Sequence, residues 1–378
     1  MGLSAERRAL FGLAAAAVSG RVPPDLTLAL SQGDPLTLAG DAQRLQVHTM
    51  IGPVLVRHPE LAAAMPDDLA LFFRAMHAAN RQRLARGLAQ LAEIGGALEA
   101  AGIPAIVLKG GADMLAPLHA DPAIRYVGDL DILVPADRAD RALAALRDFG
   151  AASTTLPTRE ASRFDWRGQR LSTHHLPRLV RPDWAFPVEL HVHAGPGAMA
   201  SVLDPAAMFA RRVPAALRGL SVPCADDRAC HLLTHATRHK GIVSLRAWID
   251  WSALRRQCDR AAVASRLCLA GYGRAFESSD LMADLLGSAD ARALPQDAAP
   301  LADQTLRAFG AAGTLSLAEL PRFLFRRCRG LILSSSYRRH IAARLAEGSI
   351  LRGIAAFRPG PHGPGRETPD KPRRRSEE

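Results

Sequence analysis

The order of apolar and polar positions divides the chain into helical blocks around a short segment with strand-like patterning. Apolar residues recur at helical spacing through residues 81–101, and Gly102 ends that pattern. Short apolar runs that favour strands then occur around "IPAIV", "DLDILV" and "VELHVH", with a helix predicted over 137–149. From about residue 204 the spacing is helical again. The pattern therefore predicts an α+β protein with a small sheet between two helical blocks.

Composition shifts suggest four regions along the 378 residues. We expect an N-terminal helical region, an α/β core, a C-terminal helical region and a disordered tail, and we place them at 1–84, 85–215, 216–357 and 358–378. The tail is rich in proline, glycine and charge and has few residues that could form a core.

The net charge of +11 permits nucleic-acid binding, but other features disfavour it. There are only three tyrosines and four tryptophans, and the dense basic run "KPRRR" lies in the tail. No apolar run reaches about 18 residues, so we predict no membrane span. The apolar residues 9–18 are interpreted as a helix rather than a signal peptide. The five cysteines show no CxxC pair, which favours reduced thiols and a cytoplasmic protein.

Two aspartates interrupt the apolar run "GDLDILV". In a strand, Asp129, Asp131 and Leu133 point to one face, and the other apolar residues of the run point to the opposite face. Two carboxylates so close together repel each other unless a cation lies between them. The pattern fits either a solvated edge strand or a divalent-metal site.

A second strand carries further candidate ligands. In "VELHVH", the same alternation places Glu189, His191 and His193 on one face. A glutamate between apolar residues is uncommon unless it is paired or metal-bound. If the two strands are neighbours, three carboxylates share one surface, and such oxygen ligands suit Mg²⁺ or Mn²⁺.

The run "VLKGG" predicts a strand that enters a glycine turn and then a helix. Gly110 and Gly111 would let the backbone approach a phosphate, and Lys109 adjoins the turn. Only three of the 48 basic residues are lysines, and two of them, Lys109 and Lys240, fall within the segments singled out here.

Together, "LKGG", an arginine, "GDLDILV" and "ELHVH" resemble the DNA polymerase beta-like nucleotidyltransferase superfamily, and most of all a bacterial group described as uncharacterised nucleotidyltransferases. The resemblance covers roughly residues 85–255 and implies a small mixed β-sheet core. It implies that Asp129, Asp131 and Glu189 bind Mg²⁺ or Mn²⁺ and carry catalysis. A serine common in the superfamily's turn is a glycine here, and the turn lies farther than usual from the Asp-x-Asp pair.

The same resemblance gives roles to the glycine turn and to an arginine. It implies that Lys109, Gly110 and Gly111 hold the phosphates of a nucleoside triphosphate, with ATP as the default. Arg125 would neutralise phosphate charge or support the aspartates.

A later helical segment, "CHLLTHATRHKG", carries histidines every four residues, which places them on one helix face. Zinc binding, packing, and a position lining the cleft are the alternatives for them. We expect His235, His239 and Lys240, with His191 and His193, to lie near the substrate. Arg246 and Asp250 are spaced for an ion pair, which we interpret as mainly structural.

These expectations lead to a metal-dependent nucleotidyltransferase that transfers a nucleoside monophosphate to an unknown acceptor and releases pyrophosphate. The acceptor could be a small molecule, a modified peptide, a protein side chain or RNA, with nucleic acid the least favoured of these. One alternative is a catalytically inactive module of the same fold that binds a protein or peptide partner. Another is a metal-dependent phosphohydrolase.

Overall fold

The computed structural model describes residues 3–153, 176, 178–195, 199–238, 245–288 and 304–306. The helices are α1 (Ala5–Ser19), α2 (Leu26–Gln32), α3 (Pro35–Arg44), α4 (His48–Arg57), α5 (Pro59–Ala63), α6 (Asp67–Ala100), α7 (Lys109–Leu115), α8 (Ala139–Asp148), α9 (Met199–Val202), α10 (Pro205–Arg211), α11 (Ala225–Arg238), α12 (Leu245–Leu254), α13 (Arg260–Leu269) and α14 (Gly273–Ser288). The strands are β1 (Ala105–Val107), β2 (Leu130–Leu133), β3 (Ala152–Ser153), β4 (Leu179–Val180), β5 (Val188–His191), β6 (Val213–Pro214) and β7 (Leu220–Val222).

The strands form one mixed sheet in the order β3-β4-β5-β2-β1-β7-β6. At its centre, β2 is parallel to β5 and antiparallel to β1, while β1 is parallel to β7. The β4–β5 pair is antiparallel. The predicted α+β class, with a small mixed sheet and helical regions on either side of it in the sequence, is confirmed.

Each face of the sheet is covered by helices, and strand alternation decides which residues each face contributes. Leu130 and Ile132 of β2 pack with α6 and α8 in one apolar cluster. Leu133, two positions after Asp131, packs instead with residues of α11 and α12 in a second cluster. Asp131 therefore points to the face that α11 and α12 cover.

A third apolar cluster joins the two ends of the described chain. It combines α1–α5 and the start of α6 with residues from α12 and α14. Trp248 of α12 and Phe73 of α6 are among the largest fully buried side chains. The N-terminal helices and α12 are therefore parts of one core, which fixes α12 against the rest of the fold.

The long helix α6 holds the segments that lead into β2 and β5. Buried Asn80 donates hydrogen bonds to the carbonyl oxygens of Ala123 and Arg125, at 2.8 and 2.9 Å. Gln90 bonds both backbone groups of Phe186, donating to its oxygen at 2.8 Å and accepting from its nitrogen at 3.0 Å. These side chains satisfy backbone groups that no strand partner reaches, so they set the position of both strands.

The helix predicted over 81–101 begins earlier, at Asp67, and runs without a break through residue 84. It ends where expected, because Gly102 takes a positive φ of 67° and closes the helix with a hydrogen bond to Glu99. Beyond residue 215, β7 still pairs with the sheet. The tail 358–378 and residues 239–244 lie outside the described residues.

In the part of the chain that the structure describes, none of the helices combines the length and apolar character needed to cross a membrane.

We expect Gln90→Leu to destabilise the protein by about 2–4 kcal/mol, because the backbone N–H and C=O of Phe186 would both be left buried without partners. Chemical denaturation measures this loss. Gln82→Leu is the matched control, since Gln82 is exposed on the same helix and should change stability far less. Equal effects of the two substitutions would show that Gln90 does not hold β5.

Candidate active site

Two carboxylates from different strands lie side by side at the centre of the sheet. The parallel register of β2 and β5 pairs Asp131 with Glu189 and Leu133 with His191. One ligand atom each from Asp131, Glu189 and His191 lies within 4.8 Å of the others. The strand alternation predicted this meeting of Asp131 and Glu189 on the condition that the two strands are neighbours, which they are. The two residues lie 58 positions apart in the chain.

Two basic side chains converge on one oxygen of Asp131. Lys109 Nζ and His191 Nε2 each lie 2.7 Å from Asp131 Oδ1. Lys109 reaches it from the start of α7, where its backbone takes a left-handed φ of 48°. Residues other than glycine rarely adopt this backbone conformation, and such backbone strain is often found at functional sites.

Asp129 and Glu189 share a different cation. Arg178 Nη2 lies 2.8 Å from Glu189 Oε1 and 3.3 Å from Asp129 Oδ2. The antiparallel register that pairs Leu179 with Val188 places Arg178 opposite Glu189 one step further along. The guanidinium therefore links the carboxylate of β5 to the one that precedes β2.

The two aspartates have pKa shifts of opposite sign. Burial and repulsion from Asp131 and Glu189 raise the pKa of Asp129, although Lys109 and Arg178 oppose this. Burial alone would also raise the pKa of Asp131, but the contacts from His191 and Lys109 hold it well below its usual range. Asp131 is thus a firmly ionised carboxylate, while Asp129 remains under electrostatic stress that a further cation would relieve.

These carboxylates open into a cavity of about 610 Å³ between the sheet and α11 and α12. Its charged lining residues are Arg44, Lys109, Asp113, Arg125, Asp129, Asp131, Arg178, Glu189, Arg228, Arg246 and Asp250. His231, His235 and Tyr126 line it as well. A volume of this size is in the range that small-molecule and cofactor sites occupy.

A buried ion-pair network forms another part of the cavity wall. Arg125 Nη1 lies 2.8 Å from Asp113 Oδ2, and its Nε donates to Asp250 Oδ2 at 2.9 Å. Arg228 also pairs with Asp113, at 2.5 Å, and His119 with Asp250, at 3.1 Å. Burial opposes the charge on Arg125, but Asp113 and Asp250 together raise its pKa above the usual range. The network joins α7, α11 and α12 around one guanidinium.

A comparison with known protein families bears on this geometry. The sequence model of a family described as "Uncharacterised nucleotidyltransferase" matches residues 33–287, which is about two thirds of the chain. The chain belongs to this family. The predicted resemblance to an uncharacterised nucleotidyltransferase family is thereby confirmed, and with it the general kind of activity. No curated protein and no solved structure matches the chain significantly.

The glycine turn of this nucleotidyltransferase differs from the expectation in one respect. Gly110 lines the cavity, and a Cβ there would lie 2.6 Å from Arg125 Nη1, so glycine allows the arginine to approach. Gly111 is buried, and its Cβ would lie 2.6 Å from Val107 Cγ1. Among the described residues that line the cavity Gly111 is not found, so the absence of a side chain there serves packing against β1.

The remaining predicted site residues are the histidines after Glu189 and in "CHLLTHATRHKG", together with Lys240 and Arg125. The strand ends at His191, so the expected alternation does not extend to His193, which is not among the described cavity-lining residues. His235 lines the cavity as expected. His239 and Lys240 lie outside the described residues. Arg125 pairs with Asp113 and Asp250 rather than with the aspartates of "GDLD".

The expected Arg246–Asp250 ion pair is not found in the described part of the structure. Asp250 pairs instead with Arg125 and His119, because these side chains reach it across the interface between α12 and the core. Arg246 turns to the cavity.

Sequence reasoning missed several charged residues of the site. Arg178 lies on a segment without a recognised motif, whereas Asp113 follows the glycine turn and Arg228 precedes the histidine run on the same helix. Each forms a tertiary ion pair that the local pattern does not indicate. A signal existed only for Arg178, because the hairpin that joins β4 to β5 places it opposite Glu189 once the register is known.

We expect Asp129→Asn and Asp131→Asn to change stability in opposite directions in metal-free buffer at neutral pH. Asp129→Asn should raise the melting temperature, because a raised pKa means that the folded state disfavours this carboxylate. That gain should vanish as the pH falls below about 4, where the carboxyl is protonated in the unfolded chain as well. Asp131→Asn should lower stability by about 1–3 kcal/mol, because Lys109 and His191 lose their charged partner.

Thermal melts of both variants between about pH 3 and pH 8 test this contrast. Because the pKa of Asp131 is depressed, its contribution is present above the unfolded pKa and persists until the pH falls through the lower folded value. A loss of stability in both variants at pH 7 would contradict the assigned pKa directions.

Proposed function

We propose that this nucleotidyltransferase moves a nucleoside monophosphate from a nucleoside triphosphate to an acceptor, in a reaction that depends on a divalent metal. The observation that carries the proposal is that Asp129, Asp131 and Glu189 line one cavity together with several cationic side chains. Membership of the family supports the class of reaction. ATP is the expected nucleotide donor, and we expect the enzyme to act in the cytoplasm.

The donor set fits a divalent metal. Asp131, Glu189 and His191 can each direct a ligand atom to one point, and carboxylate oxygens suit Mg²⁺ or Mn²⁺. The raised pKa of Asp129 reflects negative charge that the present cations leave incompletely balanced. In this proposal Asp129, Asp131 and Glu189 hold Mg²⁺ or Mn²⁺, which when bound supplies charge stabilisation to the phosphates and the attacking oxygen.

The protein's own residues provide the remaining functions. Lys109 lies beside Asp131 and is close enough to the carboxylates to contact a phosphate that they help to bind. Gly110 and Arg125 line the same cavity, so both are proposed to contact the nucleotide. Arg178 neutralises Glu189 and Asp129 and restrains both carboxylates.

The proposed chemical step balances as follows. An oxygen of the acceptor forms a bond to the α-phosphorus, and the bond from that phosphorus to the bridging oxygen of the β-phosphate breaks. Pyrophosphate leaves with the electron pair of that bond. Glu189, which is partly exposed and lines the cavity, is proposed to accept the proton of the acceptor.

The acceptor is proposed to be a small molecule, a peptide or a protein rather than a nucleic acid. A cavity of about 610 Å³ can enclose a nucleotide with only a limited part of an acceptor. The acceptor group must therefore reach into the cavity beside the nucleotide.

The experiment supplies each of the four α-labelled nucleoside triphosphates with Mg²⁺ or Mn²⁺ to the protein in a lysate of its source organism. We expect label to appear on an acceptor, to disappear on chelation and to return when metal is restored. Asp131→Asn and Glu189→Gln should each lower labelling at least 100-fold, because each removes a metal-binding charge. Asp137→Asn is the matched control, since Asp137 is exposed beyond β2 and should leave labelling unchanged.

Full labelling by Asp131→Asn would overturn the proposal. Absence of Mg²⁺-dependent nucleotide binding in calorimetry would favour an inactive binding module of the same fold. Release of inorganic phosphate without a labelled acceptor would favour a phosphohydrolase.

A further inference from the structure

Six of the described residues that line the cavity carry a positive charge, and five of them have a carboxylate partner. The pairs are Arg44 with Asp41, Lys109 with Asp131, Arg125 with Asp113 and Asp250, Arg178 with Glu189, and Arg228 with Asp113. Arg246 is the exception: within the described chain no carboxylate oxygen lies within 4.0 Å of its guanidinium. Its Nε atom is buried and has no hydrogen-bond partner there either.

The surroundings of Arg246 make its lack of a carboxylate partner unfavourable in free energy. A guanidinium loses hydration when it is buried, and the usual compensation is a carboxylate or several hydrogen bonds. Burial and the nearby Arg125 lower the pKa of Arg246 to about 10, so it still carries its charge at neutral pH. The carboxylates of Asp250 and Asp113 oppose that shift, but both pair with other cations.

Arg246 is also held in a well-defined place. It is the second residue of α12, and the residues that follow it in this helix are buried. Trp248 of the same helix lies in the core shared with the N-terminal helices. The neighbouring cavity residue Ala247 is small, so the space in front of α12 stays open. The backbone of Arg246 is thereby fixed beside the cavity, and its planar guanidinium has the shape to form two parallel hydrogen bonds to one oxyanion.

We propose that Arg246 binds a phosphate group of a ligand in the cavity. The choice of phosphate as the oxyanion rests on the proposed function. The phosphate comes either from the triphosphate of the nucleotide or from a phosphorylated acceptor.

The test is the binding of inorganic pyrophosphate in metal-free buffer, measured by calorimetry. We expect Arg246→Gln to weaken binding at least 10-fold and Arg246→Lys to weaken it several-fold, because an ammonium cannot make the paired contact. Arg256→Gln is the control for charge, since Arg256 is exposed after the end of α12 and should change binding less than two-fold. Pyrophosphate binding by Arg246→Gln within two-fold of the wild type would overturn the proposal.

Melting temperatures separate ligand binding from a structural role. Without pyrophosphate, Arg246→Gln should melt at or above the wild-type temperature, because it removes a half-buried charge that has no paired carboxylate in the described chain. The stabilisation that pyrophosphate gives the wild type should be lost in the variant. A clear fall in melting temperature together with unchanged pyrophosphate affinity would make Arg246 a structural residue and overturn the proposal.

A competition experiment identifies the source of the phosphate. A nucleoside triphosphate with a methylene group between the α- and β-phosphorus atoms is bound first, with Mg²⁺. If it excludes pyrophosphate, the nucleotide's own phosphates occupy Arg246; if pyrophosphate still binds, the group belongs to the acceptor. Asp131→Asn should lose nucleotide transfer but keep metal-free pyrophosphate binding, so failure of the proposed function and failure of this inference are distinguishable.

Discussion

The candidate site depends on one constraint, the in-register parallel pairing of β2 with β5. This pairing places Asp131 beside Glu189 on the face that α11 and α12 cover. A shift of one residue would turn one carboxylate into the opposite cluster, where apolar side chains from α6 and α8 pack. Side chains of α6 form hydrogen bonds to the segments before both strands. Such a shift would destabilise the fold, because these buried backbone groups would lose their partners.

Charge balance is the second organising feature of the molecule. Each buried or half-buried carboxylate in the cavity wall has a basic neighbour, and some basic residues serve two carboxylates. This arrangement keeps a dense set of charges inside the fold without large net repulsion. The imbalances that remain, at Asp129 and Arg246, have opposite signs. They are the positions where a bound cation and a bound anion would each improve the balance.

Local pattern predicted much of the site. The alternation in "GDLDILV" and "VELHVH" placed Asp131, Glu189 and His191 on strand faces, because a strand has a period of two whatever surrounds it. The helix that ends at Gly102 followed from a similar short-range rule. Such rules failed where a residue lay just past an element, as at His193, because alternation stops where the backbone leaves the strand.

The sequence by itself determined which kinds of side chain are available for chemistry, which residues share a strand face and the family to which the chain belongs. Tertiary structure alone decided which cation serves which carboxylate. Asp250 has an arginine four residues before it on its own helix, yet it pairs with Arg125, which lies 125 positions away in the chain. The reason is physical: spacing along a helix allows a contact, but burial determines which charges lose water and must find partners. That burial is set by helices packed together from both ends of the described chain.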